Sequence, residues 1–273
     1  MTTAPAEAPA GAPPATPWRR LPVVLAVVTV LLQIAYPLVT GALRDQLTVV
    51  TVLAFFAASV AHALVHRGAT WTAAFVLLTA GTGLLAESLG TTTGVPFGEY
   101  DYAGSLGWKL LAVPVVIPLA WAMMAYPCLL VGQRLASSWL GAVAVGAWAL
   151  ASWDLFLDPQ MVAAGHWTWT DVQVALPGLP GIPVSNYLGW LLVAALMMAA
   201  LQRLPRRTGT HDRVDDRVPH ALFLWTYGSS VLASAAFFGR PAVALVGGVG
   251  MGLVALPFAR SLRAAPRPAV RRG

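Results

Sequence analysis

Asp154 and Asp158 stand four residues apart in "SWDLFLDPQMVAAGHWTWTD", the spacing that places two side chains on one face of a helix. Two carboxyls in one desolvated site do not both ionise, and the proton that one retains is what a general acid donates. A proline follows Asp158 directly, which biases the chain there away from helix. The bland alternative is a helix end carrying ordinary loop acids.

A second group of acids lies upstream, in "GTGLLAESLGTTTGVPFGEYDYAGSLGWKL". Glu87 falls near the end of an apolar run, and Glu99 and Asp101 alternate with aromatic residues in a connection punctuated by glycines and Pro96. Irregular backbone at membrane depth is tolerated where protein or a wet cavity satisfies it, so this stretch is expected to be a structured loop. The competing reading makes Glu87 interfacial and Tyr100 and Tyr102 part of an aromatic belt. A third pair, His62 and His66 in "HALVH", has the spacing of one box of the membrane di-iron oxygenases. Such sites need many histidines; the chain has five, and His166 is expected on the opposite face, so interfacial or core histidines are favoured and no metal is expected.

The elements that must position these residues are hydrophobic helices. Of 273 residues, 58% are hydrophobic and 10% charged, with a mean hydropathy of +0.69. Apolar runs of about twenty residues, enough to cross a hydrocarbon core of roughly 30 Å, are expected at 21–43, 47–65, 69–89, 108–131, 137–157, 184–201, 220–238 and 241–259. The expected fold is an all-α polytopic membrane bundle of about eight transmembrane helices, with seven as the alternative because only Gly239 and Arg240 separate the last two runs. Residues 1–18, rich in Ala and Pro, are expected to be a disordered tail, 19–260 a single transmembrane domain, and 261–273 a basic cytoplasmic tail.

Charge orients the bundle. With eight spans and both termini cytoplasmic, fourteen of the seventeen basic residues fall inside, leaving Arg44, Lys109 and Arg240 outside. The basic pI of about 10.1 is then a matter of topology and of attraction to anionic lipid. Sixteen of those seventeen are Arg, a bias that accompanies GC-rich bacterial coding. Asp45, Glu87, Glu99, Asp101, Asp154, Asp158 and Asp171 gather at the outer face. The single cysteine, Cys128, excludes an intrachain disulfide framework, and nothing resembles a P-loop, a dinucleotide fingerprint or a nucleic-acid surface.

Taken together, "GTTTGVPFGEYDY", "LGWKLLAVPVVIPLAWAMMAYP", "SWDLFLDPQMVAAGHWTW" and "GIPVSNYLGW" resemble the carotenoid biosynthesis membrane-protein family that contains the CruF-type carotenoid hydratases. The resemblance covers roughly residues 80–190. It implies addition of water across the terminal double bond of an acyclic carotenoid, giving a tertiary alcohol, in the cell membrane and without cofactor, with association with other carotenoid-synthesis enzymes as a further implication. Under it, Asp154 is expected to be the proton donor or its partner, followed by Glu87, Asp158 and Asp101. Phe97, Tyr100, Tyr102, Trp153, Trp167 and Trp169 are expected to face the polyene and stabilise positive charge, and Asn186 and Tyr187 to orient water or a carboxyl. The rival readings are a carrier for a polyprenoid or carotenoid lipid and a structural partner in a pigment-synthesis assembly.

Overall fold

A computed structural model describes residues 17–205 and 215–263. Residues 1–16, 206–214 and 264–273 lie outside it, and with them most of the expected N-terminal tail, the Arg-rich centre of the connection between the runs expected at 184–201 and 220–238, and most of the basic C-terminal tail.

The helices are α1 (Leu21–Ala35), α2 (Ala42–Arg67), α3 (Ala69–Thr93), α4 (Val116–Leu135), α5 (Trp139–Ala151), α6 (Asp154–Ala163), α7 (Val184–Leu201), α8 (Arg217–Leu232) and α9 (Pro241–Arg263). Among the described residues, seven helical segments are long and apolar enough to cross a membrane, α5 and α6 together forming one of them. The remaining helix, α8, reaches sixteen residues before passing into a π-helical turn at Ala233–Phe237. Their outward faces carry Leu77, Leu85, Leu140 and Leu253, all largely exposed, as a surface that meets lipid must.

The bundle is built round α4, where every residue from Val116 to Gly132 except Leu119 is buried. Small residues let its neighbours close on it. A Cβ on Gly132 would come within 2.3 Å of the Ala142 carbonyl oxygen, so α4 and α5 touch backbone to backbone there.

Among the described residues, six short strands run between these helices. β1 (Tyr100–Tyr102) pairs antiparallel with β4 (Trp167–Trp169), β2 (Lys109–Leu110) with β3 (Val113–Pro114), and β5 (Ala175–Leu176) with β6 (Leu179–Pro183). Two expectations are corrected here. Residues 108–115 belong to no helix: Leu111 and Ala112 take φ of 50° and 66°, which turns the chain into the β2–β3 hairpin and delays α4 to Val116. The run expected at 137–157 breaks after Ala151 and restarts at Asp154 as α6, which continues through Pro159. Because it does, Asp154 and Asp158 share a helix.

Candidate functional site

Glu87 lies near the C-terminal end of α3, almost fully buried, and its carboxylate accepts three hydrogen bonds from outside its own helix. Trp121 Nε1 on α4 donates to Oε1 at 2.9 Å, and the Tyr100 and Tyr102 hydroxyls donate to Oε2 at 2.5 and 2.7 Å. Each donor has a local cause. Gly83, one turn before Glu87, leaves room for Trp121, whose ring would lie 3.0 Å from any Cβ there. The two tyrosines flank Asp101 on β1, so strand alternation sends both phenols inward and Asp101 outward. Burial, and then the neighbouring Glu87 charge, push both phenols well above their ordinary range, so they remain donors at any physiological pH.

Asp154 and Asp158 form the second centre. Both are buried, and Asn186 Nδ2 at the start of α7 donates to Oδ2 of each, at 2.8 Å to Asp154 and more closely still to Asp158. The two carboxyls are also within hydrogen-bonding reach of each other. Trp167 Nε1 donates to the free Oδ1 of Asp158 at 3.0 Å. No cation pairs with these acids among the described residues. Asp154 Oδ1 is buried without a hydrogen-bond partner among the described residues, and two carboxyls so placed resist ionising together.

The β1–β4 ladder joins the two centres. Tyr102 sits opposite Trp167, with ring centroids 5.5 Å apart, and Tyr100 opposite Trp169, also at 5.5 Å. Trp169 Nε1 donates to the Phe97 carbonyl at 2.9 Å, and the His166 carbonyl accepts from Ala103 N–H at 2.8 Å. His166 itself holds Ser105 through Nδ1 at 2.7 Å, and burial lowers its pKa, which favours the neutral ring. The three basic residues expected on this side all brace the same end: Lys109 donates to the Tyr102 carbonyl, Arg240 to the Pro159 carbonyl, and Arg44 lies over the Tyr36 ring.

Glu87, Asp158 and Asn186 line one cavity of about 170 Å³, with aromatic rings prominent among its walls. Trp121 stacks on Trp190 at 3.8 Å, and Trp153 meets Trp190 edge-on at 6.1 Å. Phe97, Tyr100, Tyr102, Trp153, Trp167 and Trp169 all contribute to the lining. Asp154 does not; it stands behind Asp158. Asp101 and Glu99 are exposed and outside the cluster. Tyr187 is half-buried, its hydroxyl has no hydrogen-bond partner, and it is not part of the lining. Trp121 was not anticipated as a site residue. The one signal was an indole inside an otherwise apolar helix, where its N–H must find a partner.

His62 and His66 are far from these acids in the fold. His62 is buried, with Nδ1 2.9 Å from the Tyr126 hydroxyl and Nε2 2.9 Å from the Asp215 carbonyl, so both ring nitrogens are engaged by protein. No group of three or more His, Cys, Asp or Glu that could hold a metal occurs among the described residues.

Comparison with known proteins gives two matches. The sequence pattern of a family described as "Carotenoid biosynthesis protein" matches residues 47–260, a stretch that contains every acid and donor described above. A protein of Haloarcula japonica named bisanhydrobacterioruberin hydratase is 34% identical over 136 residues. That match covers 48% of this chain and 44% of the relative, so less than half of the relative's length is represented. No solved structure matches.

Proposed function

This chain belongs to the carotenoid biosynthesis protein family, and on that premise we propose that it hydrates the terminal double bond of an acyclic carotenoid end group, giving a tertiary alcohol. The observation that carries the proposal is the pairing of Asp154 and Asp158 through Asn186, with Asp158 and Glu87 lining one cavity to which Trp121, Trp153, Trp167, Trp169 and Trp190 contribute rings.

Hydration of a trisubstituted alkene needs a proton at its less substituted carbon, stabilisation of the tertiary cation that results, and water at the cationic carbon. Asp158 faces the cavity and delivers its own proton, and Asp154, protonated behind it, then shares its proton across the pair, so that the two never ionise together. The alkene π bond breaks as the new C–H bond forms, and the negative charge left behind spreads over the carboxyl pair and the Asn186 amide. Glu87, held by three donors in its anionic form, is the counter-charge to the cation, and the Trp121, Trp190 and Trp153 faces lie where their quadrupoles add to it. Water forms the C–O bond, and its surplus proton returns to the carboxyl pair. Atoms balance as alkene plus water to alcohol, and no electron changes hands. Two acid centres in different surroundings thus take different roles, one moving a proton and one holding a charge.

The distribution of basic residues along the sequence supports a site at the outer face of a cell membrane, with both termini cytoplasmic. Expression in a strain that accumulates an acyclic carotenoid, followed by mass analysis of the pigment, tests the assignment. Addition of one water per reacting end is expected. Redistribution of chemically unchanged pigment would replace the hydratase by a carrier.

A further inference from the structure

A cavity of about 170 Å³ holds a reacting end group and little else. A long polyene, comparable in length to the hydrocarbon core of roughly 30 Å, must leave it. The cavity has two sides on which this is conceivable. Towards α1 and α8 its wall mixes Gln33, Ser229 and Ser230 with Tyr36, Ala233 and Phe238.

On the other side, a second and larger hollow of about 630 Å³ lies along α2 and α4 beneath the residue 105–108 loop. It shares Leu106 and Val116 with the first, so the two spaces meet at that partition. On α2 it follows one face through Ala42, Gln46, Val49 and Leu53, at spacings of four, three and four residues. Leu53 and Trp108 leave it open outward, at 45% and 77% exposure, on the surface that meets lipid.

We propose that this groove binds the hydrocarbon chain of the polyene whose end reacts at Asp158, the chain passing between Leu106 and Val116. The proposal rests on the hydratase reading for its ligand. Its geometry rests on the shared partition at Leu106 and Val116 and on the outward opening at Leu53 and Trp108. The polyene thereby reaches the acids sideways from the bilayer.

The test uses the full-length chain in membranes from cells that accumulate an acyclic carotenoid and from carotenoid-free cells. Single cysteines are introduced as Gln46→Cys in the groove and Leu43→Cys close by on α2 outside it, with buried Cys128 of the unaltered chain as background. Modification by a membrane-permeant maleimide is expected to slow several-fold at Gln46→Cys when the polyene is present, and to be unchanged at Leu43→Cys. Equal rates at Gln46→Cys in both membranes would overturn the groove. Protection without alcohol formation by the unaltered chain would retain the groove and remove the hydratase reading; alcohol formation without protection would do the reverse. Filling the groove with Val49→Trp is expected to lower alcohol yield about tenfold at normal protein level, and an undiminished yield would also overturn the proposal. If that variant does not accumulate, the labelling result decides.

Discussion

Tyr102 and Trp167 face each other across the β1–β4 ladder, and each gives its polar hydrogen to a different acid, Tyr102 to Glu87 and Trp167 to Asp158. Neither acid is reached from a neighbour in sequence. One backbone pairing therefore sets the separation of the two carboxyl centres, and changes to either ring are expected to be felt at both.

Removing the transferable proton is the most direct test of the acid pair. Asp158→Asn and Asp154→Asn preserve size and lose the acid, and each is expected to lower hydration by roughly 10²–10⁴-fold, the range typical of general acid–base catalysis. Pigment should still be retained by the purified variants. Alcohol formation at the original rate in both would remove the pair from the chemistry.

Glu87→Gln replaces a charge by a neutral amide among three donors, one of which then opposes an NH₂ group. A loss of roughly 10²-fold is expected, with Tyr102→Phe milder because Tyr100 and Trp121 still donate. Asp101→Asn, on the outward face of β1, is expected to be silent in the same carotenoid assay. A severe Asp101→Asn phenotype alongside an active Glu87→Gln would invert the assignment.

Gly189→Ala probes the floor of the loop. Its Cβ would stand 2.8 Å from the Phe97 ring and 2.9 Å from the Pro96 carbonyl oxygen, so the 96–98 segment must move. A destabilisation of about 1–3 kcal/mol is expected, measured as a lower unfolding midpoint in detergent together with reduced hydration. An unchanged midpoint and rate would show that the loop is not packed on α7 there.

Topology is open to impermeant labelling in intact cells. A cysteine at Ser105 or at Gly104 is expected to label from outside, and one at Asp215 only after the membrane is breached. The opposite pattern would move the acid site to the inner face.

Local pattern revealed the helices that behave as independent amphipathic or apolar units. The expected 184–201 span coincides with α7, and the four-residue spacing of Asp154 and Asp158 was enough to place them on one face. The β2–β3 hairpin was missed because its residues are apolar and its turn uses positive φ without glycine. The outward position of Asp101 follows from the alternation Tyr-Asp-Tyr on β1, a pattern already present in the sequence. The bridging role of Asn186, the stacking of Trp121 on Trp190 and the β1–β4 pairing depend on contacts between distant segments, which no local period encodes.

Every acid of the site and every group that hydrogen-bonds it comes from one uninterrupted stretch, from Glu87 on α3 to Asn186 on α7. The cavity walls supplied by Gln33, Tyr36, Phe55, Thr226 and Phe238 come from helices and turns outside that stretch. The acids and their donors are thus confined to one central stretch, whereas the cavity is closed by that stretch together with helices from both ends of the chain. On the hydratase reading, a substitution in those flanking walls can reshape the cavity without touching an acid or its donors.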